Sequence, residues 1–245
     1  MIEFDFGAVL AEWPLLLRGL AWTVGLTAVA VPLGLLIATL GAWARACGSA
    51  ALRRAVGVYV ELLRNTPFIV QLFFVFFGLP AMGVKLSPEA ASLIAMTLNL
   101  GAYGTEILRA GIQAAPRGQW EAAQSLALGP TQVFTRVILP PAFKRVWPAM
   151  TSQIVIVMLG SAVCGQISTE ELSYATNLIH SRNFRAFEAT FVALAIYLAL
   201  TLMLRRFLLW AGPRWFFGGA SLPMRPSLWR RLGRAAGAGA GAAND

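Results

Sequence analysis

Runs of about twenty apolar residues constrain this chain more than any other feature, because a segment of that length crosses the hydrocarbon core of a bilayer as a helix. Five are read in the sequence, over residues 19–43, 57–79, 88–112, 147–167 and 187–210. Hydrophobic residues make up 58% of the chain and charged residues 13%, whereas an average soluble domain is about 25% charged. The expected fold class is an all-α membrane protein. Its transmembrane domain covers 1–212, and a basic, partly disordered tail covers 213–245, ending in the low-complexity AAGAGAGAAND. Pro32 and Pro67 inside spans are tolerable there, since neighbouring helices can satisfy the backbone groups they free. The acidic start (Glu3, Asp5, Glu12) and the length of the first run argue against a cleaved leader. Cys47 and Cys164 are too few and too isolated for a disulfide framework or a metal site.

Lysines and arginines set an orientation. Arg45, Arg53 and Arg54 in the 1–2 connection, Arg117, Arg136, Lys144 and Arg145 in the 3–4 connection, and the arginines from Arg205 onward fall on one side. Arg18, Lys85, Arg182 and Arg185 fall on the other. The C-terminus is therefore expected in the cytoplasm and the N-terminus outside. The net charge of +9 then serves topology and anionic lipid headgroups, not nucleic acid.

The stretch 116–141 is the longest ordered segment between spans. Arg117, Glu121 and Gln124 are polar, while Trp120, Ala123 and Ala127 recur at three- and four-residue spacing. That pattern predicts a short helix with one face free to dock. Gly129-Pro130 is expected to break it, and a second short segment, Val133 to Leu139, to stop at Pro140-Pro141. Two short helices on the basic side make a docking lug for a soluble partner. An ordinary surface loop is the plainer reading.

Glu121-Ala122-Ala123, followed by Leu139-Pro140, resembles the EAA loop of permease subunits in ATP-binding-cassette importers. Glu61-Leu-Leu-Arg-Asn-Thr-Pro67 and Gln71-Leu-Phe-Phe resemble a second-helix signature of the polar-amino-acid branch, the histidine/glutamine permease-like family. Ala102-Tyr103, Glu106, Arg109, Gly118-Gln119 and the run Ser181 to Glu188 match the same branch, so the resemblance covers roughly 13–210. It implies a type I importer fold in a bacterial inner membrane, a second permease subunit (identical or homologous), a cytoplasmic ATPase dimer gripping the loop, and an external binding protein delivering an amino acid. ATP and Mg would belong to the ATPase, with no cofactor in this chain. The coupling residues implied are Gly118, Glu121, Ala122, Ala123, Ala127, Gly129, Leu139 and Pro140. Glu121 would fix the loop or touch the ATPase, Ala122 and Ala123 would permit close approach, and Gly129-Pro130 would supply the turn. Two positions depart from the family: Ala127 stands where Gly is usual, and Leu159-Gly160-Ser161-Ala162 where many relatives carry Lys-Asp-Thr-Ser.

No catalytic constellation appears. His180, the one histidine, has no metal-binding pattern around it, and without a phosphate-cradling Gly-rich loop with Lys the chain does not itself hydrolyse ATP. Charge inside a bilayer is costly and kept for pairing or function. Glu61 with Arg64, and Glu106 with Arg109, lie three apart and are expected to pair along their helices as structural or inner-gate ion pairs. Nearer mid-depth, Gln71, Asn99, Tyr103, Ser161 and Gln166 are candidates for lining a polar passage. Asn99, Tyr103 and Glu106 share one helix face, and interhelical hydrogen bonding is the competing reading. Residues 168–186 are expected outside, either to meet a solute-delivery protein or as an interfacial helix capping the bundle. An autonomous secondary transporter would need internal inverted repeats, and a membrane enzyme paired acids or a nucleophile with its base. A permease for an opine or compatible solute stays open.

Overall fold

The computed structural model describes residues 5–215, all helix and connection. In chain order these are α1 (Phe6–Leu10), α2 (Trp13–Cys47) and α3 (Ala50–Arg64), then α4 (Phe68–Ala81), α5 (Pro88–Gln113) and α6 (Arg117–Ser125), and finally α7 (Pro130–Ile167), α8 (Leu172–Asn183) and α9 (Ala186–Trp215). Side-chain oxygens start several of them: Ser49 accepts from the Leu52 N–H at 3.3 Å, Ser87 from Ala90 at 3.2 Å and Glu171 from Tyr174 at 2.8 Å. The expected tail over 213–245 lies outside the described residues from 216 on.

Among the described residues α2, α7 and α9 are each long and apolar enough to cross a bilayer, and α3 with α4 passes the same test as one bent pair. The third expected span, 88–112, is α5, which has the length but carries Asn99, Tyr103, Glu106 and Arg109. It can afford them because it is the central helix, packed by α2, α3, α4 and α7. Its approach to α2 is close. A Cβ on Gly34 would lie 2.8 Å from Leu100, and one on Gly104 2.7 Å from Ala38. Small residues at such crossings let backbones meet where no hydrophobic drive separates helix from lipid.

Two expectations for the spans need correction. The run 57–79 is not one straight helix: α3 and α4 meet at 111° across Asn65–Pro67. Pro67 cannot donate and disfavours helical backbone in the residue before it, so the helix ends. The segment starting at Val133 likewise does not stop at Pro140-Pro141. It runs on into α7 through a wide π turn, Val133–Ile138, with Pro140 in the first turn of the following helix. Two successive prolines remove two backbone donors, and the π turn takes up the mismatch without ending the helix.

At one end of the bundle α1 and α8 cap the starts of α2 and α9 around Val9, Leu16, Leu172, Ile179 and Ala189. Of the two readings of 168–186, a capping helix is what forms. Glu171 is buried there, accepting from the Tyr197 hydroxyl at 2.6 Å, and burial pushes its carboxyl above the ordinary carboxylate range. At the opposite end the Trp147 indole N–H donates to the Leu208 carbonyl at 3.0 Å, locking α7 to α9, and Gly212 leaves no room beside the ring.

The turn after α6 is a Schellman motif: the Ala127 N–H bonds Gln124 O at 2.9 Å and the Leu128 N–H bonds Ala123 O at 3.4 Å. Its left-handed residue is Ala127 (φ 56°), while Gly129 is extended (φ −67°, ψ 158°). The turn expected at Gly129 therefore sits at Ala127, in a conformation that costs a residue with a Cβ about 1–2 kcal/mol.

Ala127→Gly is thus expected to stabilise the α6 turn by about 0.5–1 kcal/mol, strain relief outweighing the added unfolded-state freedom; slower amide exchange over α6 is the readout, and no change would place the strain elsewhere. Gly212→Ala should cost about 1–3 kcal/mol by overpacking against the indole, read as a lower thermal midpoint in detergent.

Candidate coupling and passage site

The face of α6 is decided by Ala123, which is 3% exposed and belongs to the same buried cluster as Val133, Phe134 and Ile138, with Trp120 half-buried beside it. The Trp120–Ala123 stripe anchors the helix to its own bundle, so Ala123, implied as a coupling residue, is packed against Val133 and Phe134 and not exposed to a partner. What α6 presents is the opposite face: Gly118, Glu121, Ala122 and Gln124 are exposed, and Leu126 beyond them is 75% exposed. Gly118 has open space where a side chain would stand. Leu139 and Pro140 lie at the base, after the π turn.

Two polar centres occupy the bundle between α2, α3 and α5. In the first, Glu106 takes Arg109 in a fork, with Nε at 2.8 Å and Nη2 at 2.7 Å, as the three-residue spacing predicts. It also draws Arg45 from α2 at 3.9 Å and Arg64 from α3 at 3.8 Å. One carboxylate, its side chain 15% exposed, thus ties three helices. The expected Glu61–Arg64 pair does not form. Arg64 turns to Glu106 and lies over the Tyr103 ring at 5.5 Å, while Glu61 is exposed and makes no ion pair among the described residues. A carboxylate in the interior outcompetes one at the surface, where water weakens attraction.

In the second centre, side chains close the end of α3. The last four carbonyls of a helix have no partner within it. Here Asn65 Nδ2 donates to Glu61 O at 2.8 Å, the Thr66 hydroxyl to Leu62 O at 2.8 Å, Gln71 Nε2 to Leu63 O at 2.6 Å and the Tyr103 hydroxyl to Arg64 O at 3.4 Å. Asn99 Nδ2 then donates to Gln71 Oε1 at 3.0 Å. Gln71, Asn99 and Tyr103 are brought together, and the hydrogen-bonding reading describes them: they brace the bend. Ser161 is buried elsewhere, its hydroxyl bonded to Met158 O at 2.6 Å, and Gln166 is exposed near the end of α7.

Arg45 was read only for its sidedness; its place in the last turn of α2, at the depth of Glu106, was the available signal. Thr66, inside the same RNTP run as Arg64, was likewise missed as part of the brace.

The chain is similar to known proteins in sequence and in fold. The L-cystine transport system permease protein TcyB of Bacillus subtilis (strain 168) is 37% identical over 171 residues, 70% of this chain and 73% of that protein. The glutamine transport system permease protein GlnP of Escherichia coli (strain K12) is 31% identical over 205 residues, 83% of this chain and 94% of that one. Among solved structures, an amino acid ABC transporter crystallised with histidines superposes with a TM-score of 0.78 at 32% identity, covering 87% of this chain and 100% of that one. The MetNI methionine ABC transporter, inward facing, shares the fold at a TM-score of 0.64 and 22% identity. The family described as "Binding-protein-dependent transport system inner membrane component" matches residues 30–216, from within α2 to beyond the end of α9, and the chain belongs to that family of membrane-spanning transport permeases.

Proposed function

We propose that the chain is one subunit of the membrane passage of an ATP-driven importer, carrying a polar amino acid handed over by an extracytoplasmic binding protein. The α6 end faces the cytoplasm, as the Lys and Arg distribution favours, and a separate dimeric ATPase seats against α6. A second permease subunit, identical or homologous, completes the passage. The observation that carries this reading is the two-faced α6: Ala123 welds the helix to the bundle while Glu121, Ala122 and Leu126 stand free. A lever must be rigid on one side and available on the other. The amino-acid class is favoured by the names of the relatives above 30% identity.

Movement follows from alternating access. Closure of the ATPase draws the α6 helices of the two subunits together, and the bundles rock about their contact. Solute and nucleotide act only through unequal affinity for the two states. The Glu106 centre serves as the inner latch, since it links α2, α3 and α5 near the α6 end. Gln71, Asn99 and Tyr103 hold the bend beside the passage: Gln71 and Tyr103 donate to α3 carbonyls, and Asn99 donates to Gln71.

Glu121→Lys should lower ATP-driven uptake at least tenfold and weaken co-purification of the ATPase with the helical fold intact; undiminished uptake would rule out the coupling role of α6. Glu106→Gln leaves three arginines without their counter-charge. It should cost about 2–3 kcal/mol of stability and raise ATP hydrolysis in the absence of solute. Hydrolysis that stays fully solute-dependent would remove the latch.

A further inference from the structure

Where α2 ends, α3 begins, α5 ends and α6 begins, the chain leaves a cleft of about 460 Å³ whose walls carry Arg45, Arg53, Arg109 and Arg117, with Gln113 and Trp120. Among the described residues the one carboxylate within ion-pair reach of any of these arginines is Glu106, already forked by Arg109. Arg53 and Arg117 are exposed and make no ion pair among the described residues. The helix ends deepen the imbalance. Arg53 stands in the first turn of α3 and Arg117 at the first position of α6, where the macrodipole favours acids, and neither first turn holds an acid. α6 also starts at Pro116, which supplies no side-chain cap for the helix's leading N–H groups.

We propose that this cleft is a binding site for a phosphate-bearing anion, filled by the headgroup of an anionic phospholipid of the leaflet next to α6. Guanidinium forks fit phosphate oxygens. Trp120 is half-buried and lines the cleft beside the arginines; indole rings favour headgroup regions, and basic pockets between helices on the cytoplasmic side take such lipids. The placement of this end in the cytoplasmic leaflet rests on the function proposed above. Because Arg117 and Trp120 belong to α6, a bound headgroup would brace the root of the coupling helix.

The test titrates the purified full-length chain in detergent with dioleoyl-phosphatidylglycerol, dioleoyl-phosphatidylcholine or sodium phosphate, read by native mass spectrometry. Phosphatidylglycerol should bind preferentially, and Arg53→Gln with Arg117→Gln, both at exposed positions, should reduce that preference roughly 30-fold with the thermal midpoint unchanged. Equal binding of the two lipids, or a preference that survives the double substitution, overturns the site. Displacement of phosphatidylglycerol by millimolar phosphate overturns the lipid as its source. Loss of ATPase co-purification with lipid preference retained would assign the cleft to an acidic stretch of the ATPase and overturn the proposal. Uptake is measured separately in vesicles, so a failed transport reading is distinguishable from a failed lipid site.

Discussion

A backbone without water has to find its hydrogen bonds inside the protein, and each irregular point in this bundle is built to meet that demand. The sharp bend between α3 and α4 would leave carbonyls stranded; Thr66, Gln71 and Tyr103 each take one, and the Asn65 side chain adds a second donor to the Glu61 carbonyl that its backbone N–H already reaches. The paired prolines at the start of the long α segment of α7 are absorbed by a π turn. At the end of α6 the Schellman bonds hold Ala127 in a backbone region that suits glycine, and the hydrogen bonds win over the Cβ. Polar side chains in the spans thus serve the backbone first.

Charge follows the same economy. Interior arginines need a partner, and Glu106 supplies one shared carboxylate to three helices. The gathering is directional: it lies toward the end that carries α6, so whatever separates α2, α3 and α5 there must first loosen an ionic contact. The other end combines apolar packing of α1, α8 and the starts of α2 and α9 with the ion pairs Arg18–Glu170 and Arg182–Glu12, and Glu171 caps α8 from a buried site. One end gathers its charges on a single carboxylate, and the other spreads them in separate pairs around an apolar core.

The short α1 was not read and α8 was one of two alternatives, whereas the long helices were plain in the sequence. Apolar runs located them, Ser87-Pro88 marked the start of α5, and the amphipathic pattern placed α6. The direction of the α6 face was not readable, because a stripe of Trp120 and Ala123 docks equally well inward or outward until the neighbouring Val133 and Phe134 are known. Glu61 and Arg64 have the spacing of a helical pair, yet Arg64 chose a carboxylate on another helix. Spacing reports what is reachable along one helix and is silent about better partners across the bundle. The bend escaped for a related reason: RNTP lies inside a run apolar enough to read as one span, and the carbonyl partners that permit a break come partly from α5.

The length of α2 has a mechanical meaning. Thirty-five residues make a rod of about 52 Å, well beyond the roughly 30 Å of hydrocarbon it crosses. One extremity lies under the α8 cap, where Gly19 meets Ala175, and the other reaches the origin of α7, where the Cys47 thiol sits 3.9 Å from the Pro130 carbonyl. Pivoting such a rod by about 10° would swing one tip roughly 9 Å relative to the other. A nudge at the α8 cap could therefore be felt at the root of the connection between α6 and α7 through a single stiff member, with no relay of intermediate residues.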